Sequence, residues 1–309
     1  MALIDLIRKL FGHRPAPSQP APLIPEAPAA PDEIAEDLTE PDATVEPETV
    51  TEPEAAADAG ETAEPEMTAE PEASVEPDIL QRSAARRDDF WAGVGDVEGD
   101  VLTHLVSPGL TGGPAWPTTR QAYRVIRRAD GSIVIATDGL SDPFDEGGDT
   151  NGFNLELFVE SADLPADFAG TPGDVTPLGR SWMIELLQNV AGTVAGAGGI
   201  EGQLEHYGTL SMEVPGVSSS HAIKDQLPEG FVTADDAIGI LIGGPTPDFA
   251  TLIEDMPLSP VRIVPVVLLT AAELGEIRAG DEETREAIVA RLAAMPSRHR
   301  SDTGRPSIV

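Results

Sequence analysis

Six Glu-Pro pairs, beginning at Glu40, Glu46, Glu52, Glu64, Glu70 and Glu76, repeat every six residues with one member missing, where Asp58-Ala59 stands. Around them, residues 13–79 are built from Pro, Ala and Glu with almost no side chains able to pack. Ordering one residue costs about 1–2 kcal/mol of backbone entropy, and so polar a segment has too little apolar area to offset that cost. Stacked solenoid repeats need an apolar face, which these lack. Proline and like-charge repulsion predict a disordered, extended and semi-stiff linker instead. Folding is thereby confined to the chain from about Ile79 onward. A dedicated acidic binding tail is the competing use of the same charge.

That segment also explains the charge. Between Asp32 and Asp78 lie 18 acids and no base, which leaves −17 of the total −35 for the other 262 residues. The remainder is acidic but ordinary, and direct nucleic-acid binding is not expected, because phosphate contacts need a basic surface. The chain has no cysteine, so neither a disulfide framework nor a thiolate metal site is available. A cytoplasmic location is the expectation that fits.

Ahead of the linker, residues 1–12 place Leu3, Ile4, Leu6, Ile7, Leu10 and Phe11 at helical spacing, with Asp5, Arg8 and Lys9 between them. Gly12 and Pro15 stop that helix. It is too short to cross a bilayer, which takes roughly 20 apolar residues, and it lacks the unbroken apolar core and cleavage site of a secretory signal. Leu3, Leu6, Ile7, Leu10 and Phe11 are therefore candidates for docking on a membrane surface or a partner protein. An unstructured start is the plain alternative, since so short a helix is marginal in water.

From Ile79 the composition can support a core. Arg82 to Trp91, followed by Val97, Val101, Leu102 and Leu105, predicts one or two helical pieces, and Gly and Pro from Pro108 to Pro117 predict a loop. Tyr123–Arg128 and Ile133–Ala136 flank Asp130-Gly131, a tight-turn pair that predicts a hairpin. Residues 162–179 read as a long connection. Ser181 caps a helix whose stripe is Met183, Leu186, Leu187, Val190 and Val194, and the glycines of Gly192–Gly202 end it. Thr209–Val214 and Ile238–Ile242 are strand candidates, and Val261–Leu269 is the most apolar strand, with Pro265 predicting an edge or a bulge. Thr270 to Glu273 is a capping box opening a helix to about Arg278, and a further helix follows Asp281 to about Met295. Residues 296–309 read as a disordered tail. Strands mixed with a few helices, without βαβ alternation, predict an α+β fold with a mixed or antiparallel sheet flanked by helices.

Between two β-prone runs, Ile133–Asp138 and Phe153–Val159, lies a loop crowded with Gly, Asp and Pro. In the second run Phe153, Leu155, Leu157 and Val159 share one face, and Asn154, Glu156 and Phe158 the other. The words themselves, Gly139-Leu-Ser-Asp142 and Gly152-Phe153-x-x-Glu156-Leu157, resemble a signature of the Suppressor of fused family. Trp182-x-x-Glu185-Leu-Leu-Gln188 and Leu268-Leu-Thr270-x-x-Glu273-Leu274 resemble two further family segments, in the same order over roughly residues 100–295. The additional C-terminal domain of the animal members has no counterpart, and Tyr207–Gly216 is similar to the bacterial single-domain type. The resemblance implies a domain over residues 80–295 that binds protein and does not catalyse. Animal members sequester a transcription factor by pairing with an extended peptide, and bacterial members are regarded as immunity proteins that neutralise a toxin.

On that basis Asp138, Ser141, Asp142, Glu156 and Trp182 are candidate partner-binding residues, the partner being a protein, such as a basic toxin, or an extended peptide. Each has a plain alternative: Trp182 as core or groove wall, Glu156 as a solvent-facing strand carboxylate. No cofactor or metal is expected. The loop from Asp142 to Gly152 is not an EF-hand, because Gly147 and Phe158 fall where the first and twelfth ligands belong. His104, His206 and His221 lack ligand spacing, and Ser218–His221 lacks a hydrolase elbow. A tethered scaffold using residues 1–12 is the second functional reading, and a hydrolase built on His221 or His206 the third.

Overall fold

The computed structural model describes residues 77–104 and 112–309. The expected helix over 1–12, nearly all of the 13–79 linker, and residues 105–111 lie outside the described residues. The first described element, helix α1 (Pro77–Val94), begins inside the last Glu-Pro pair, so the linker expectation ran three residues too far. Pro77 suits a first helical turn, where its fixed φ is helical and no N–H is missed. Asp78 faces the positive end of the helix dipole. Ser83, Arg87 and Trp91, four residues apart on one face, are fully buried.

One long helix therefore stands where one or two pieces were expected, followed by the short strands β1 (Asp96–Val97) and β2 (Leu102–Thr103). The predicted hairpin is β3 (Ala122–Arg127) and β4 (Ile133–Asp138), paired antiparallel across the turn at Gly131. β5 (Leu155–Ser161) lies antiparallel to β4 and parallel to β9 (Val261–Leu269). β7 (Ala237–Ile242) and β6 (Leu210–Pro215) extend the sheet on the far side of β9. The order is β1-β3-β4-β5-β9-β7-β6, with β2 also on β3 and β8 (Leu252–Ile253) also on β9. The fold is α+β, a mixed sheet flanked by helices.

Pro265 is not at an edge. It sits mid-strand in β9, with β5 on one side, and its carbonyl accepts from Gly243 N at 3.0 Å on the other. Backbone N–H and C=O of one strand residue point the same way. The missing donor therefore faces the gap between β8, which pairs at Val261–Arg262, and β7, which pairs from Val266.

The sheet is covered on both faces. Trp91 of α1 packs with Ile126, Val134, Ala136 and Phe158, beside Val261 and Ile263. Helix α3 (Trp182–Gly196), which follows the short α2 (Ala166–Ala169), packs on β4 and β5 and contributes nothing to that cluster. Ser181 Oγ caps α3 by accepting from Ile184 N, and the chain turns at Gly198 and Gly199 into α4 (Glu201–Tyr207). The loop-rich stretch before β7 contains a short helix, α5 (Ala222–Gln226). Helix α6 (Ala271–Ala279) opens on the Thr270/Glu273 capping box, and α7 (Glu282–Ala293) places Ile288 and Leu292 against Leu241, Val267 and Leu269.

The segment expected to fray at 296–309 is instead built into the sheet. Ser301 N donates to Glu160 O at 2.7 Å, and Leu268 N donates to Ser301 Oγ at 2.9 Å, so this residue bridges β5 and β9. Arg305 clasps Glu273 with both terminal nitrogens, 2.6 Å to Oε1 and 2.5 Å to Oε2, and reaches Leu268 O at 3.0 Å. Polar composition suggested a solvated tail, but its bases have buried carboxylates to meet.

Candidate functional site

The loop joining β4 to β5 is folded by two glycines whose positions leave no room for a side chain. A Cβ on Gly139 would stand 2.7 Å from Arg120 O and 3.1 Å from the Trp116 ring. On Gly152, at φ +51°, it would stand 2.5 Å from Leu140 O and 2.6 Å from Asp142 O. These close approaches are the physical content of the Gly139-Leu-Ser-Asp and Gly152-Phe words. Phe153 N donates to Leu140 O at 2.9 Å and ties the two glycine turns together.

Beneath the loop lies a buried polar cluster centred on Arg87. Its Nε donates to Asp138 Oδ1 at 2.9 Å and its Nη1 to Ser141 Oγ at 3.1 Å, while Nη2 pairs with Asp142. Asp138 also receives Arg124 Nε at 2.8 Å and an Nη of Arg120, and Asp142 receives Thr118 Oγ1 at 3.2 Å. Glu156 accepts from Gly139 N and Ser141 N, both at 3.0 Å, from Ser141 Oγ at 2.6 Å, and from Thr137 Oγ1 at 2.5 Å. Ser141 therefore relays between Arg87 and Glu156, whose carboxylate lies 3.9 Å from Arg87 Nε. Three guanidiniums, of which Arg87 is fully buried and Arg120 and Arg124 reach toward solvent, face three buried carboxylates, so that each interior charge has a partner.

Burial acts on each group differently. It pushes the Glu156 carboxyl above its ordinary value, a push that Arg87 and two hydroxyls only partly oppose. It pushes Asp138 the same way, but there Arg87, Arg120 and Arg124 prevail and hold it below the ordinary range. For Arg87, burial is outweighed by Glu156, Asp142 and Asp138, and its pKa rises. Burial and the nearby Glu156 charge also raise Tyr123.

Asp138, Ser141, Asp142, Glu156 and Trp182 are each 0% exposed, so none forms part of the free domain's surface. The first four are gathered within one hydrogen-bonded cluster, and Trp182 starts the helix that packs on the same two strands. Glu156 is neither a solvent-facing carboxylate nor a contact at the surface. Its strand face is roofed by α1, which periodicity within β5 alone could not reveal. The charged residues that the loop does expose are Asp145, Glu146 and Asp149.

No family model matches the chain, and no curated protein does.

Residues that sequence reading passed over carry much of the geometry. Arg87 interrupts an otherwise inward-facing helix stripe four residues before Trp91, and that misplaced charge was the available signal. Asn151 gave none. It accepts from Ser83 Oγ at 3.0 Å and donates from Nδ2 to Ser259 O at 2.6 Å, joining three distant segments. The remaining candidates stay apart: His206 and His221 are exposed in separate places, while burial lowers the His104 pKa. Ser218 Oγ donates to Asp236 at 2.7 Å, and Ser220 Oγ accepts from Ile223 N at 2.9 Å, both local turn bonds. Among the described residues no group of acids and histidines could hold a metal ion, and no helix is long and apolar enough to cross a membrane.

Proposed function

We propose that this domain is a cytoplasmic, non-enzymatic binding module, an immunity or sequestering protein that occludes the surface of a protein partner. The resemblance to the Suppressor of fused family supplies the class. One observation carries it further: the resembling segments 139–142, 152–157, 182–188 and 268–274 belong to one sheet and the helices packed on it. A loop whose underside is locked by buried ion pairs reaches a partner pre-ordered, so little entropy remains to be lost on contact. Its exposed Asp145, Glu146 and Asp149 suit a basic partner, such as a toxin that acts on nucleic acid, or a basic extended peptide.

The test is capture of the partner with this protein as bait, followed by association kinetics with Asp145→Asn, Glu146→Gln and Asp149→Asn combined. A basic partner whose on-rate falls and loses salt dependence in the triple variant supports the reading. A neutral or acidic partner, or an unchanged on-rate, refutes the loop as the contact.

A further inference from the structure

β5 and β9 run side by side only as far as Phe158 and Pro265. Beyond that point β5 continues against β4 and β9 against β7, and no ladder joins residues 159–161 to residues 266–269. The slot this leaves in the sheet is filled by residues 297–308. Ser301 N donates to Glu160 O at 2.7 Å, Leu268 N donates to Ser301 Oγ at 2.9 Å, and that hydroxyl donates to Val266 O at 3.4 Å. Arg305 reaches Leu268 O at 3.0 Å and forks onto Glu273, which also accepts from Ile308 N at 3.1 Å. His299 Nε2 meets the Glu160 carboxylate at 2.7 Å.

This strap is held by polar contacts, and incompletely. Residues 297–309 carry three arginines against one acid, on a chain whose net charge is −35. Apart from Pro306, their apolar side chains are Ile308, partly buried, and Val309, exposed. Four of the seven buried side-chain atoms that lack a hydrogen bond among the described residues belong to the strap: Ser297 Oγ, His299 Nδ1, Arg300 Nε and Arg305 Nε. Native folds normally satisfy such groups. Near its start Arg298 is held at φ +48°, a left-handed conformation that is strained in a residue with a side chain. A segment with few apolar contacts and unmet polar groups is among the parts of a fold that open first.

We infer that residues 297–308 are an intramolecular ligand, a strap that lets go as a unit and clears the slot between β5 and β9 for an extended, arginine-bearing segment of a partner protein. Release bares Glu160 O, Val266 O and both backbone groups of Leu268 along the slot, with the Glu273 carboxylate at its far end. An incoming arginine takes the forked contact that Arg305 leaves, the strongest kind of carboxylate recognition. The strap competes from within the same chain at an effective concentration on the order of millimolar, so it keeps weak ligands out and yields to a better match. The slot shares no residue with the 139–156 loop, so the inference stands whether or not that loop meets a partner.

The probe is a fluorescein-labelled synthetic peptide of residues 297–309, titrated with the full chain and followed by anisotropy. Ser301→Ala in the protein loosens the resident strap, while the peptide still brings the hydroxyl that Leu268 N needs. The peptide is therefore expected to saturate on that variant, about five- to tenfold more tightly than on the wild type, the usual effect of one or two hydrogen bonds. Arg305→Ala in the peptide should weaken binding about tenfold or more. A scrambled peptide of the same composition, which keeps the bare charge attraction, should bind more weakly by a similar factor. In hydrogen exchange of the wild-type chain, the Ser301, Gly304 and Ile308 amides should exchange together and ahead of Val267 in β9. The inference is overturned if the peptide fails to saturate on the Ser301→Ala protein or binds it no better than the wild type. It is equally overturned if the scrambled peptide binds as well, or if the strap amides exchange only with β9.

Discussion

Arg87 on α1 and Asp138 at the end of β4 meet Nε to Oδ1 at 2.9 Å, across 51 residues of sequence, with neither side chain exposed. The pair latches the first helix to the strand that launches the glycine-bounded loop. Removing one partner leaves the other charge buried and alone. Arg87→Ala is therefore expected to destabilise the domain by about 3–5 kcal/mol. Arg87→Lys keeps the charge but cannot reach Asp138, Ser141 and Asp142 together, and should fall between wild type and Ala. Urea unfolding reads both, and a loss under about 1 kcal/mol for Arg87→Ala would contradict the latch.

Glu156 is the acceptor for two backbone N–H groups and two hydroxyls. Glu156→Ala strands those donors in a dry site, at about 1–3 kcal/mol for each left unmet. Glu156→Gln keeps an acceptor for the Gly139 and Ser141 amides and is expected to stay within about 1.5 kcal/mol of wild type. If Gln and Ala prove equally damaging, the carboxylate's charge matters more than its acceptor geometry. Thermal melts of the two variants separate these outcomes.

Stability should respond to acid in two opposing ways. Asp138, Glu160 and Glu273 titrate below their ordinary values in the fold. Their contribution is complete above the unfolded values of about 3.9 for Asp and 4.3 for Glu, and is lost as pH falls through the lower folded ones. Glu156 titrates above its ordinary value, so its effect has the other sign, present below the unfolded value and lost as pH rises through the folded one. Urea midpoints should rise slightly on mild acidification and collapse below about pH 4. Burial raises Asp302 in the same direction, so the slight rise, and not the collapse, should shrink in Glu156→Gln.

Gly152→Ala tests the loop itself. The left-handed φ and the two carbonyl oxygens within 2.6 Å of the added methyl leave it no accommodation. The change should cost more than about 1 kcal/mol, because a mismatched substitution outweighs its gain from the unfolded chain. Gly131→Ala, at φ +89° but with open space around it, should cost less. Equal losses by calorimetry would mean that backbone strain alone, and not contact, sets the requirement.

Arg305→Ala leaves Glu273 fully buried without its base, and about 3–5 kcal/mol should be lost. Truncation after Met295 should be more damaging, because it also removes Ser301 from between β5 and β9 and His299 from Glu160. A truncated protein that melts with the full chain would return residues 296–309 to the status of a solvated tail.

Much was legible from local chemistry. The Asp130-Gly131 hairpin, the Ser181 cap, the Thr270/Glu273 capping box and the strands around 210, 238 and 265 appear within a few residues of where the pattern put them. Each rests on interactions between residues near in sequence, or on a periodicity within one element. The α+β class followed from their order. The errors share the opposite cause. Pro265 lies mid-sheet because the strand beside it changes at that residue, and Glu156 is buried because a helix more than sixty residues earlier covers it. The C-terminal segment is ordered because its Arg and His meet acids on β5 and α6.

By itself, then, the sequence determined where this protein can fold and which segments are helix or strand, since propensity, capping and patterning act over a few residues. Only the tertiary structure decided that Asp138, Asp142 and Glu156 are interior groups and that Arg87 is their counter-charge. A polar side chain is equally at home in water or opposite a buried partner, and which of these it meets depends on residues far along the chain.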